Sequence, residues 1–334
     1  MTTAQPTAAV VVVTYNRPDH VRTCLEHLAA QSVAPAEVLV VDSSTDRRTA
    51  DVVRAFEAVA YLRNELGLGH MATSRALGVA ASTADVVAFI DDDAYAEPAW
   101  LERLLRPYAD PLVGAVGGRA RNGNPGEETE GVDRVGLLLP DGSLTGFFAA
   151  ITEGDVEVDH LIGCNMSYRR AALDAIGGIH DHWPGTSLRE DADTGLRLRR
   201  AGWKVVYAPD AVVFHVGGAY ARGRRFDLRY TFYGARNHVV LLHHALGSNA
   251  PETRRYRRTA TRAVGGELKY AFAALRDPER SLYRKARGFA NGVSRAAAQA
   301  SGTLVGHLAA RGVRVGTQHL ATRPQPERAA RVRA

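Results

Sequence analysis

Three adjacent carboxylates, Asp91-Asp92-Asp93, are the sharpest chemical feature of the sequence, because they repel one another and need either open water or a cation. They follow the apolar run 85–90 (DVVAFI) directly, which puts them at the mouth of a buried strand. Hard divalent ions take carboxylate oxygens, and Mg2+ uses one or two of them together with substrate phosphates. The run therefore points to a metal meeting a diphosphate, with a solvated turn as the plainer reading. A second acidic pair, Glu190-Asp191, opens a predicted helix in LREDAD. Acidic residues suit a first helical turn whatever they do, so the pair alone says little. His215, after the apolar VVF, is on its own as readily structural as ligating.

The elements that would position these residues alternate with regularity over the first hundred positions. Residues 8–14 (AAVVVVT) form a continuous β-branched run, as a strand buried on both faces requires. Pro18 then sits where a helix accepts proline, with Val21, Leu25 and Leu28 keeping a helical period. Strands are predicted at 37–42 (EVLVVD), 59–63 and 85–90, with helices at 49–58 and 70–81 between them. This β-α-β-α order predicts a doubly wound, mostly parallel sheet whose strand ends carry the ligand site. The polar residues at those ends are Tyr15-Asn16-Arg17, Asp42-Ser43-Ser44, Asn64 and Asp91 to Asp93. A parallel sheet gathers all of them on one edge.

Beyond a short helix at 98–105 the pattern loosens. A strand is predicted at 113–119, a loop at 122–131, a hairpin around Pro140-Asp141-Gly142, a helix at 170–176 closed by Gly177-Gly178, and a helix at 190–201. Residues 204–207 and 212–216 read as two short strands, and long helices dominate from Tyr230. The expected division is a catalytic α/β domain over 1–225, a basic helical region over 226–322 and a disordered tail over 323–334.

Composition is that of a globular enzyme, 46% hydrophobic and 23% charged. Cys24 and Cys164 are too few for a disulfide framework, so buried free thiols and a reducing cytoplasm are expected. No apolar stretch approaches the ~20 residues that span a bilayer, and no leader is visible. The net charge of +6 is uneven: residues 251–334 carry 18 Lys and Arg against 5 Asp and Glu, which leaves the first 250 at −7. Arg254, Arg255, Arg257 and Arg258 fall in one turn, and Lys269, Arg284, Lys285 and Arg287 follow among aromatic residues. Such helices suit the inner face of an anionic membrane. No nucleic-acid motif accompanies them, and nucleic acid is not an expected partner.

Taken in order, VVVTYNRP, VLVVDSSTD, NELGLG with Ser74-Arg75, FIDDDAYAEPAWL, GCNMSYRRAAL, LREDADTGLRLRRAGWKVVYAPDAVVFH and YGARNHVVLL resemble the GT-A type glycosyltransferases of family 2 over about residues 8–245. The resemblance implies a GT-A α/β fold with helices on both faces of the sheet and a helical C-terminal region. It implies inverting transfer of a sugar from a nucleoside diphosphate to an acceptor hydroxyl, with Mg2+ or Mn2+.

Residue by residue, the resemblance places Thr14, Tyr15, Asn16 and Arg17 at the donor, with Thr14 and Tyr15 against the nucleobase. Asp42 would accept a hydrogen bond from the ring N–H of that base. Arg75 would lie near the base or diphosphate, and Asp91 or Asp92 at the ribose. Asp93 would ligate the metal, with Asp91 and His215 completing its shell. Asp191 would be the catalytic base, with Glu190 the runner-up. Asn165, in a turn 163–166 beneath the sugar, and Trp183, as a stacking indole, are expected on the acceptor side. The subgroup resembled includes rhamnosyltransferases, so a dTDP- or UDP-sugar is the expected donor, and a glycan, a lipid-linked intermediate or a small molecule the acceptor. Two other readings stay open: a sugar nucleotidyltransferase, which would want a Gly-rich basic signature where TYNRPDH stands, and a sugar-nucleotide-binding protein without transfer activity.

Overall fold

A computed structural model describes residues 5–185, 187–217 and 228–312. Strands β1 (Ala8–Thr14), β2 (Glu37–Asp42), β3 (Val59–Arg63) and β4 (Val86–Asp91) alternate with helices α1 (Pro18–Ala29), α2 (Arg48–Val53) and α3 (Met71–Ala81). The chain continues through β5 (Ala94–Ala96), α4 (Trp100–Leu105), β6 (Val113–Arg121), β7 (Val156–Glu157), β8 (Asn165–Arg169), α5 (Arg170–Ala175), α6 (Glu190–Arg200) and β9 (Lys204–His215). Helices α7 (Leu228–Leu241), α8 (Pro251–Arg276) and α9 (Leu282–Ala310) complete it. The tail expected over 323–334 lies outside the described residues.

One mixed sheet runs β3-β2-β1-β4-β8-β6-β9-β5, with β7 paired to β9. Its first four strands are parallel, so Thr14, Asp42 and Asp91 end on the same edge, as expected. The side chains of β1 alternate between two cores. Ala9, Val11 and Val13 join the face with α3 and α6, whereas Val10 and Val12 join that of α1 and α4. Two buried faces are the physical reason for an uninterrupted apolar run. Cys24 and Cys164 are buried free thiols.

The second half departs from the expectations in two places. The turn expected over 163–166 is confined to Gly163 and Cys164, closed by Asn165 N–H to Ile162 O, and Asn165 to Arg169 are a strand, antiparallel to both β4 and β6 in mid-sheet. The predicted strands 204–207 and 212–216 are one strand, broken only where the β6 register jumps from Gly118↔Ala208 to Arg119↔Val212. Pro209 falls in that bulge, where a missing N–H does no harm. The predicted helix 49–58 is shorter, ending at Val53.

Helix α9 binds the C-terminal hairpin to the rest. Gly288 and Gly292 lie against Ala274 and Ala271 of α8, and Gly302 and Gly306 lie against the backbone of Phe232 and Arg236 in α7. A Cβ at Gly302 would come 2.3 Å from Phe232 O, so this approach requires glycine. Helix α7 in turn buries Val239, Val240 and Leu241, of which Val240 and Leu241 join the core of the sheet. No helix among the described residues is long and apolar enough to cross a membrane.

Candidate active site

The three aspartates share a backbone segment but not an environment. Asp92 points inward: Thr14 Oγ1 donates to its Oδ2 at 2.7 Å and Arg17 Nη1 lies 3.0 Å from its Oδ1. Burial pushes its carboxyl up to about 7, with Arg17 opposing and Asp93 adding to the rise. It is held inside the protein, whereas the side chain of Asp91, the other residue expected at the ribose, stays partly open. Asp93 shares Arg17 with it, Oδ2 lying 2.6 Å from the same Nη1, and its Oδ1 lies 3.4 Å from His215 Nε2.

Ligand atoms of Asp91, Asp93 and His215 all lie within 4.8 Å of one another. The space beside them is kept by Gly217, where a Cβ would come 2.3 Å from Asp93 Oδ2 and 3.0 Å from His215 Nε2. Two carboxylates and an imidazole around such a cradle fit a divalent cation of the Mg2+ or Mn2+ type. Strand β9 brings His215 there by pairing with β5, His215 opposite Ala94.

The acidic pair at the start of α6 also divides. Glu190 is buried and pairs with Arg75 Nη1, so it is not available as a base. Asp191 is partly open; its Oδ2 accepts from Gly163 N at 3.0 Å and its Oδ1 from Ala192 N at 2.8 Å. These two N–H groups fix the carboxylate without neutralising it. Arg75, only 1% exposed, is the link between the two acidic sites: Nη2 donates to Asp91 Oδ1 at 3.0 Å and to Gly163 O at 2.9 Å, while Nη1 meets Glu190. Expected near the base or diphosphate, it is buried between the two acidic sites.

Four other expectations need correction. Asp42 has no exposed surface, because Ser44 N (2.8 Å) and Tyr61 OH (2.9 Å) donate to its two oxygens and Arg63 lies 3.5 Å away. A nucleobase would have to displace Tyr61 to reach it. Asn16, at φ 55, ties two loops together: its N–H donates to Ser44 Oγ and its Oδ1 accepts from Thr45 N. Asn165 is fully buried, its amide taken up by Trp100 Nε1, Arg119 O and Ala211 O. Trp183, 1% exposed, spends its indole N–H on His180 O and offers no face to a sugar. Tyr15 and Arg17 stay partly exposed at the strand end.

Arg75 as a bridge, Gly163 as a backbone clamp, Gly217 and Tyr61 were not singled out from sequence in these roles. The Gly217-Gly218 pair just after His215 was the available signal for a close approach. At the end of β6, where Arg119 and Arg121 pair with Val212 and Phe214 of β9, Arg119, Arg121, Asn124 and Glu127 line a cavity of about 260 Å3, in a segment that suggested no contacts by pattern.

Comparisons with known proteins bear on this arrangement. The family model described as "Glycosyl transferase family 2" matches residues 9–177, just over half of the chain. The O-antigen chain rhamnosyltransferase RfbN of Salmonella typhimurium is 25% identical over 211 residues, 62% of this chain and 65% of that one. The glucosyl-dolichyl phosphate glucuronosyltransferase of Haloferax volcanii is 32% identical over 218 residues, 62% of this chain and 68% of that one. The chain thus spans just under two thirds of the length of the first of these relatives. The solved structure of the mannosyltransferase PcManGT from Pyrobaculum calidifontis, in complex with GDP-Man and Mn2+, superposes with a TM-score of 0.52. It covers 90% of this chain and 88% of its own at 20% identity, a likeness of fold.

Proposed function

The chain belongs to glycosyl transferase family 2, and from that premise we propose that it transfers a sugar, with inversion, from a nucleoside diphosphate to an acceptor hydroxyl. The observation that carries the proposal is the Arg75 guanidinium, which touches both Asp91 and Glu190 and so holds the metal-type acids one side chain away from Asp191.

Asp191 takes the proton of the acceptor O–H as that oxygen bonds to the anomeric carbon. The bond from that carbon to the diphosphate oxygen breaks, and its electron pair leaves with the nucleoside diphosphate. The Gly163 and Ala192 N–H groups keep the carboxylate aimed while it is charged. Asp93, Asp91 and His215 would hold a divalent cation, which supplies positive charge against the departing diphosphate. Tyr15 would lie against the nucleobase, and Arg17 would contribute to holding the donor. Relatives named as O-antigen chain rhamnosyltransferases support a deoxyhexose donor, and dTDP or UDP is the carrier proposed for it. The solved neighbour with GDP-Man keeps GDP-sugars in the screen.

The test is Asp191→Asn assayed for transfer and donor affinity, after a screen of UDP, dTDP and GDP with Mg2+ or Mn2+. Transfer falls ~10²–10⁴-fold while donor affinity stays within about threefold of wild type. A large loss of donor binding would remove Asp191 from the role of base.

We also infer contact with an anionic membrane surface through the turn between α8 and α9. Leu282 is 86% and Tyr283 72% exposed there, beside exposed Phe272 and Leu275 and the basic Arg276, Arg284 and Arg287. Such a tip places apolar side chains among headgroups and cations over anionic lipid, which suits a lipid-linked acceptor. Co-sedimentation with phosphatidylglycerol vesicles is expected at low salt and is lost in Leu282→Asp/Tyr283→Asp. Equal binding to neutral vesicles, or none, would overturn it.

A further inference from the structure

A second cluster of ligating side chains lies away from the aspartates. His180 and His182, two residues apart in the segment before α6, meet His244, which follows α7. One ring nitrogen from each of the three lies within 4.8 Å of the others. Their rings are tilted or edge-on to one another, with centroids 5.0 to 5.9 Å apart. Ring nitrogens thus converge where stacked rings would only pack.

The hydrogen bonds around this cluster cannot all be made by neutral imidazoles. His244 Nδ1 lies 2.6 Å from Asp193 Oδ1, a carboxylate that only accepts, so Nδ1 carries the hydrogen and, in the neutral ring, Nε2 bears a lone pair. That lone pair faces His180 Nδ1 at 3.1 Å. The other nitrogen of His180, Nε2, lies 3.2 Å from Gly177 O, which again only accepts. To satisfy both contacts one of the two imidazoles must carry two hydrogens and a positive charge. If both rings stay neutral and His180 keeps its hydrogen on Nε2, two lone pairs confront each other in a buried site.

We propose that His180, His182 and His244 bind a zinc ion through these facing nitrogens, as a structural site separate from the sugar-nucleotide site. Ligands at ~2.0–2.1 Å on a tetrahedral zinc sit roughly 3.3 Å apart, close to the 3.1 Å between His180 Nδ1 and His244 Nε2. Asp193 supplies the outer carboxylate that commonly orients a zinc-bound histidine, and Arg197 fixes Asp193 through Nε at 2.8 Å. Three imidazoles leave a fourth position on the side where His182 is partly exposed. An all-imidazole set discriminates against Mg2+, which takes oxygen, and so differs in kind from the pair of aspartates with His215.

The site joins three parts of the molecule. Between the two histidines, Asp181 accepts from Thr73 Oγ1 at 2.6 Å and meets His70, at the start of α3. Asp193 lies one half-turn beyond Asp191 on α6, and His244 belongs to the C-terminal helices. Zinc there would pin the segment leading into the base-bearing helix.

The test is metal analysis of the untagged full chain. After chelation and dialysis, wild type is titrated with Zn2+ in a competition assay against a chromophoric chelator, in parallel with His182→Ala, His243→Ala and Asp93→Ala. Wild type, His243→Ala and Asp93→Ala are expected to take up one tight zinc, and His182→Ala to bind at least 100-fold more weakly. Zinc is expected to raise the melting temperature of the first three and not of His182→Ala, whose partly exposed side chain leaves the apo fold intact. No tight zinc in wild type, equal affinity in His182→Ala, or loss of the zinc with Asp93→Ala would each overturn the proposal.

Discussion

Replacing Arg75 tests the bridge between the two acidic sites most directly. Arg75→Met keeps the length of the side chain and removes the charge, leaving Glu190 buried opposite an apolar group and Asp91 and Gly163 O each short of a donor. Breaking a buried ion pair from one side costs about 3–5 kcal/mol. The stranded Glu190 relieves part of this by taking up a proton, which favours the lower end. At roughly 2–4 °C per kcal/mol for a sizeable domain, the melting temperature should fall by roughly 6–12 °C. Glu190→Gln on the Arg75→Met background removes the stranded charge and should recover about half of the loss. Scanning calorimetry on the four proteins of the cycle measures the coupling between the two positions, expected at ~1.5–3 kcal/mol. A coupling within ~0.5 kcal/mol of zero is what independent sites give, and it would refute the bridge.

Trp183→Phe should lower stability by ~1–2 kcal/mol, through the lost bond to His180 O, and leave acceptor KM unchanged; a several-fold rise in KM would return Trp183 to the acceptor. Acid should weaken the fold through His238, which donates to Gly142 O at 2.7 Å and is held down to about 3 by burial and Arg189. Its unfolded value is near 6.5, so below that pH the unfolded chain binds a proton that the fold excludes, and stability falls by up to ~1.4 kcal/mol per pH unit until about pH 3. Denaturant midpoints between pH 7.5 and 5 should therefore drop by ~2 kcal/mol more in wild type than in His238→Gln; identical profiles would contradict the assignment.

The parallel half of the fold was legible because its signals are local. A strand buried on both faces shows in the run at Ala8 to Val13, and a carboxyl-edge site shows in the polar residue that ends each strand. Adjacent aspartates on one edge were legible as a site but not as individuals: which of the three turns inward depends on Thr14 and Arg17, 74 or more positions away in sequence. Asn165 and Trp183 misled for the opposite reason. A polar amide and an indole next to a predicted site suggest contact with a ligand. Their partners, Trp100, Arg119 and Ala211 for the first and a backbone carbonyl of a tight loop for the second, become visible only when the sheet is assembled. Strand β8 escaped because its inward polar residues break the apolar pattern that marks a mid-sheet strand. The strand split at Pro209 marked a real irregularity, in the register of one strand.

The strand order also sets a timetable for a chain that is made from its N-terminus. Strands β1 to β4 are complete once Asp91 has emerged, and they need only one another to pair. The next place beside β4 belongs to β8, and β5, though it emerges right after β4, pairs only with β9, whose last residue is His215. At ~5–20 residues per second, synthesis from Asp91 to His215 lasts roughly 6–25 s. For much of that interval the apolar edge of β4 has no partner strand and is open to pairing with another chain. Strand β6, made in the meantime, pairs with β8 and β9 and not with β4, so the nascent protein carries this open edge after its parallel half is built and before β8 arrives.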